Sequence, residues 1–159
     1  MAKPVKKRSP KFSDFDVMMA DVMQLAERGY EKGGNWNLAQ VSSHIADWML
    51  FPIDGFPVPP LPIRMIFWVM KKTVAPGMKR KILAEGFKGG TMTAPETVAK
   101  PDDFSDQQGI EKLRNAVDRL KAHKGALHAS PLFGEMDMAM AVKVSLLHAE
   151  HHLGYLEAK

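Results

Sequence analysis

Four separated stretches of this chain repeat apolar residues at steps of three and four, and no segment reads convincingly as a strand. A period near 3.6 lines one face of an α-helix, whereas a half-buried strand needs a period of two. The first stretch carries Phe15, Met18, Val22 and Leu25. Ser13 followed by Asp16 resembles a capped start and Gly29 a stop, which predicts a helix over roughly 14–28. Asn37 with Gln40 forms a capping-box pattern before Leu38, Val41, Ile45 and Trp48, predicting a second helix over roughly 38–50. Ser105 with Gln108 does the same before Ile110, Leu113, Val117 and Leu120, predicting a third over roughly 106–123. Asp137 is a fair N-cap for a fourth, roughly 138–157, with Ala141, Val144, His148, His152 and Tyr155 down one side. The expected fold class is all-α, a four-helix bundle with one long crossover between helices two and three.

That crossover, residues 51–104, is the least regular part. Pro52, Pro57, Pro59, Pro60 and Pro62 argue against a continuous helix up to residue 62. Ile63 to Thr73 suits a helix, Pro76-Gly77 breaks it, and Lys79 to Glu85 suits a short second piece. Gly86, Gly89, Gly90, Pro95 and Pro101 then signal an extended connection. So long a crossover is expected to cover something, such as the mouth of a pocket. Its segment 63–88 sets seven cations (Arg64, Lys71, Lys72, Lys79, Arg80, Lys81, Lys88) against Glu85 alone, around the apolar run Met65 to Met70. A lid over the bundle, with its lysines in solvent, is the preferred reading. A membrane-surface helix and an entrance that attracts anionic substrates are the alternatives.

Charge and composition narrow the partners. The net charge of +4 invites a nucleic-acid reading, but its distribution opposes one. Lys3, Lys6, Lys7, Arg8 and Lys11 crowd the first eleven residues; setting those five aside from 22 leaves 17 basic against 18 acidic residues. Residues 1–12 are therefore expected to be a flexible basic tail on a single domain spanning 13–159, and nucleic acid is not an expected partner. No secretory signal or transmembrane segment is apparent: the longest apolar stretch, Ile63 to Met70, falls far short of the ~20 residues a spanning helix needs. With no cysteine, disulfides, thiolate ligands and cysteine nucleophiles are excluded, and a cytoplasmic location is the expectation. Any metal ligands must be histidine or carboxylate.

Three histidines supply such a set. His148 and His152, one helical turn apart, share a face. His44 lies between Val41, Ile45 and Trp48 on the apolar stripe of helix two and should face inward. Three imidazoles in one core cannot all be charged, and a shared cation would satisfy them together. His44, His148 and His152 are thus the candidate metal ligands, a three-histidine set that leaves coordination positions open for catalysis. Zinc is the first choice, with nickel, iron or manganese as alternatives, because imidazole accepts several metals. His151 could pair with His148 or support the ligands; His123 and His128 read as surface residues. Glu150 should point away from the site. Asp47 could orient His44, although a solvated helix residue is the preferred reading. The twelve methionines read as flexible core filler.

The ordered segments Gly34-Asn35-Trp36-Asn37-Leu38-Ala39-Gln40, His44-Ile45-Ala46, Asp54-Gly55-Phe56-Pro57, Pro131-Leu132-Phe133-Gly134 and His148-Ala149-Glu150-His151-His152-Leu153 resemble the DinB / YfiT-like superfamily. Within it they are most similar to the branch called domain of unknown function 1569. The resemblance runs from about Ser13 to Leu156. It implies an up-down-down-up four-helix bundle with a long crossover, and a metal site of three histidines that maps onto His44, His148 and His152. Relatives in that superfamily include thiol-dependent transferases and isomerases. This chain has His152-Leu153-Gly154-Tyr155 where the commoner ending is His-Arg-Gly-Gln. The expectation is a divalent-metal protein, a transferase or hydrolase acting on a small molecule with a low-molecular-weight thiol as cosubstrate. The rival readings are a non-catalytic stress-associated binding bundle and a peripheral membrane or nucleic-acid adaptor. A homodimer is compatible with the sequence.

Overall fold

The computed structural model describes residues 7–89 and 97–159. Among them the chain is mostly helical: α1 (Phe15–Arg28), α2 (Leu38–Asp54), α3 (Leu61–Thr73), α4 (Ala75–Glu85), α5 (Asp106–Ala122) and α6 (Met138–Leu153), with short strands β1 (Tyr30–Lys32) and β2 (Leu156–Ala158). Local chemistry starts the helices much as their sequences suggest. Asn37 and Gln40 close a capping box on α2, and Ser105 and Gln108 close one on α5. Asp137 caps α6 by accepting the Met140 N–H. On α1 the cap is Asp14, which accepts the Val17 N–H at 2.9 Å, and Ser13 instead donates to Asp14.

One core joins α1, α2, α5 and α6. Met18, Val22 and Leu25 meet Leu38, Val41, Ile45 and Met49, together with Leu113, Val117 and Leu120 of α5 and Leu146, Ala149 and Leu153 of α6. Helix α2 packs most extensively on α5. Gly109 allows it: a Cβ there would sit 2.8 Å from both Cα and O of Ala39. Asp106, just before, accepts the Ala39 N–H at 2.8 Å and the Tyr30 hydroxyl at 3.0 Å, so the start of α5 also satisfies the start of α2.

Several expectations are corrected. Helix α2 runs through Pro52 to Asp54. The proline lies in the last turn, where the missing N–H costs one bond, and Gly55, at φ +100°, closes the end on Phe51 O. The Pro52 carbonyl accepts the His128 N–H at 2.7 Å. Helix α6 stops at Leu153, not near 157, and the chain turns into β2. That strand pairs antiparallel with β1, Lys32 opposite Leu156 and Tyr30 opposite Ala158. Leu156 is fully buried, and a three-residue strand carries too little alternation to be legible in sequence.

The basic N-terminal stretch is also engaged where it is described; residues 1–6 lie outside the described residues. Arg8 makes a bidentate pair with Asp21 (2.6 and 2.5 Å) and its backbone N–H donates to Gly154 O. Phe12 enters the core, and Glu150 accepts both the Phe12 N–H and Lys11 Nζ. Helix α3 is the opposite case. It has no buried residue, and α4 is its principal neighbour. It is therefore not the lid expected from the crossover, whereas α4 is anchored through Ala75 and Ile82.

Gly109→Ala tests the α2–α5 approach. The gain in helix propensity is about 1 kcal/mol, but the methyl meets backbone that cannot swing aside. Overpacking of this kind costs about 1–3 kcal/mol, so the variant should melt below the parent in thermal denaturation. An unchanged or higher melting temperature would mean the helices are free to separate.

Candidate metal centre

The capping box fixes where α2 begins, and with it the face that His44 occupies. Six residues beyond Leu38, the imidazole is 2 % exposed among core side chains. Its two nitrogens have different surroundings. Nδ1 lies 2.9 Å from Thr97 Oγ1 and 3.3 Å from Thr97 O. Nε2 lies 3.2 Å from His148 Nε2. From α6, His152 Nε2 approaches the same His148 nitrogen at 3.0 Å. His44, His148 and His152 thus bring one ring nitrogen each to a common point, all within 4.8 Å of one another, and this group could hold a metal ion. No carboxylate among the described residues belongs to the group.

Aromatic rings wall the cluster. Trp36 stacks on His152 (centroids 5.3 Å, 9° between planes) and meets His44 edge-on. Trp48 packs against His44 and His148, and Phe87 against His148. The Trp48 Nε1 is buried and has no hydrogen-bond partner among the described residues. Burial in this aromatic surround pushes the His44 pKa down to about 4 and holds His148 and His152 well below the ordinary imidazole value, with repulsion from neighbouring imidazoles, His151 included, adding to it. The three rings are therefore neutral at pH 7, the state a metal ligand requires.

The other sequence candidates fall outside the convergence. His151, also shifted down by burial, places Nδ1 at 3.0 Å from Phe87 O and 3.1 Å from Lys7 Nζ, and serves one or the other according to its tautomer. Asp47 pairs with Lys112 at 2.7 Å rather than orienting His44. Glu150 holds the N-terminal segment, as above. His123 and His128 are not among the converging residues, and His128 is exposed beside the end of α2. Sequence reasoning missed Thr97, Phe87 and the packing role of Trp36. Thr97 is 53 residues from His44 in an irregular stretch, and no periodic signal marks it. The late crossover thus does reach the site through Phe87 and Thr97, although α3 does not cover it.

The three converging imidazoles form a group that could hold a metal ion between the helices. The chain belongs to the family described as "Protein of unknown function (DUF1569)", whose model matches residues 5–159. No curated protein and no solved structure matches it.

Protonation gives a test. The folded His44 value of about 4 lies below the ~6.5 of an unfolded histidine. Between those pH values the unfolded chain binds protons that the folded one does not. Stability is therefore full above pH ~6.5 and falls as the pH drops toward 4. Metal-free protein should melt at a steadily lower temperature across that window. A melting temperature unchanged across it would show that the cluster protonates as readily folded as unfolded.

Proposed function

We propose that this chain is a divalent-metal protein whose ion is held by His44, His148 and His152, in a DinB-like four-helix arrangement made by α1, α2, α5 and α6. One observation carries the reading. His148 Nε2 faces two other ring nitrogens, at 3.2 and 3.0 Å. A ring nitrogen offers one hydrogen or one lone pair, so it can satisfy one neighbour and not both. A cation accepted by all three lone pairs resolves the conflict. Those two spacings also suit it: ligand nitrogens on a tetrahedral zinc with bonds of ~2.0–2.1 Å lie about 3.3 Å apart. Zinc is the first candidate, with nickel, iron and manganese behind it.

The surrounding residues have derived roles. A hydrogen on His44 Nδ1, donated to Thr97, leaves the lone pair on Nε2 and fixes the ring's orientation. Trp36 holds His152 flat by stacking, and Trp48 and Phe87 exclude water from the rings. A bound metal would supply Lewis acidity, lowering the pKa of a water or thiol and polarising an electrophile. With no cysteine in the chain, any thiol comes from a small cosubstrate, and the reaction we assign to the site is transfer or hydrolysis on a small molecule in the cytoplasm.

Tag-free protein should contain one divalent ion per chain by elemental analysis, and His148→Ala should lose it while staying helical by circular dichroism. At a hundredfold excess over its dissociation constant the metal adds about 2.7 kcal/mol, or about 5–11 °C in melting temperature for a chain of this size. Purified protein free of metal that takes up none on titration would overturn the proposal.

Thr97→Val removes the hydroxyl from His44 Nδ1 and keeps the shape. Metal affinity should fall about tenfold, the lower end for loss of a ligand's supporting partner, since the Thr97 carbonyl remains. Competition with a chromogenic chelator measures it, and an unchanged affinity would leave Thr97 without a part in orienting His44.

A further inference from the structure

Helix α3 presents apolar side chains to solvent around nearly its whole circumference. Leu61, Met65, Ile66, Phe67, Trp68 and Val69 are all exposed, Met65 at 66 % and Trp68 at 61 %. Val58 before the helix and Val74 after it extend the same surface. Scattered exposed apolar residues are ordinary, but a contiguous patch of this kind marks an interaction surface. The charge around it is predominantly positive. Lys88 pairs with Glu85, and Lys79 donates to Phe133 O. Arg64, Lys71, Lys72, Arg80 and Lys81 make no ion pair among the described residues. Lys72 lies over the Trp68 ring at 4.1 Å, so the cation and the largest apolar group form one unit. A shallow cavity of about 190 Å³ between this helix and Pro131 is lined by Phe67, Trp68, Arg64 and Lys71, again mixing rings with cations.

The combination selects among occupants. A second copy of the chain would cover the apolar groups but bring the same excess of cations against these. Nucleic acid would take the cations and leave the aliphatic side chains in water. An anionic lipid surface answers both demands, with apolar depth below and negative headgroups at the level of the cations. We propose that α3 and the start of α4 form a docking surface for an anionic phospholipid bilayer. No helix among the described residues is long and apolar enough to cross a membrane. Helix α3, with 13 residues and so about 20 Å long, would lie along the surface, its apolar side chains at the boundary of headgroups and acyl chains. Trp68 and Lys72 suit that depth, the ring below and the ammonium above. The proposal is independent of the metal.

Co-sedimentation of the full chain with phosphatidylcholine vesicles, with and without phosphatidylserine, tests it. Binding should require phosphatidylserine, weaken with salt, and shift tryptophan emission to the blue in parent protein but not in Trp68→Phe. Lys71→Ala/Lys72→Ala should lower the partition coefficient about 30-fold at low salt, from about fivefold per cation at an anionic surface. Ile66→Asn/Trp68→Asn keeps every cation and should lower it more than tenfold. All four positions are exposed, so the variants should retain parental circular dichroism and melting temperature. Protein left in the supernatant with phosphatidylserine vesicles would overturn the proposal. So would binding that survives Ile66→Asn/Trp68→Asn, which would assign it to the basic N-terminal residues. Concentration-dependent self-association abolished by these variants, without vesicle binding, would assign the surface to a second copy and equally overturn it.

Discussion

The close approach of α5 to α2 is the constraint on which the rest depends. Gly109 has no side chain where Ala39 backbone needs the space, and Asp106 satisfies the Ala39 N–H at the contact. With α5 pressed so near and α6 on another side, every residue of α2 from Leu38 to Ala46 is buried. This stretch has no wet face on which to place a polar group, so Gln40, Ser43 and His44 take partners inside, while the equally buried Ser42 Oγ has no hydrogen-bond partner among the described residues. Gln40 bonds Asn37 N and Ala99 O, Ser43 accepts from Lys112, and His44 finds Thr97 and the two α6 histidines.

Desolvation then decides the electrostatics. Imidazole in water is near its titration point at neutral pH. Inside this wall of Trp36, Trp48 and Phe87 the charged form is disfavoured, and repulsion from neighbouring imidazoles, His151 included, adds to it. Three donors kept neutral, with no carboxylate among the described residues beside them, form a cage without charge of its own. A cation entering it displaces no proton at pH 7, which separates this arrangement from an ordinary histidine cluster at a surface.

The molecule is polarised in another sense. The segment before α1 is tied down by Arg8–Asp21, Phe12 and Glu150, and the C-terminal strand β2 is held by β1 and by the burial of Leu156. Helix α3 has no comparable tie among the described residues. Its apolar residues contribute nothing to the core, although their composition alone would place them there. What stabilises the fold and what is offered to the outside are therefore carried by different segments of the same chain.

The main helices were legible because their determinants are local. Capping pairs such as Asn37 with Gln40 and Ser105 with Gln108 act over three residues, and the stripe Ile110, Leu113, Val117, Leu120 needs only the helical repeat to be read. The inward placement of His44 and the shared face of His148 and His152 follow from the same periodicity. Tertiary structure alone decided the rest. Helix α2 crosses Pro52 because the proline falls in a last turn whose carbonyls find partners in Gly55 and His128. Leu156 leaves the helical pattern because Gly154 admits the backbone of Arg8 and β1 offers an edge. Thr97 and Phe87 reach the histidines, and α3 stands away from them, for reasons no window of sequence contains. Burial and hydrogen bonding between residues fifty or more apart are set by how the helices pack, and packing is a property of the whole chain.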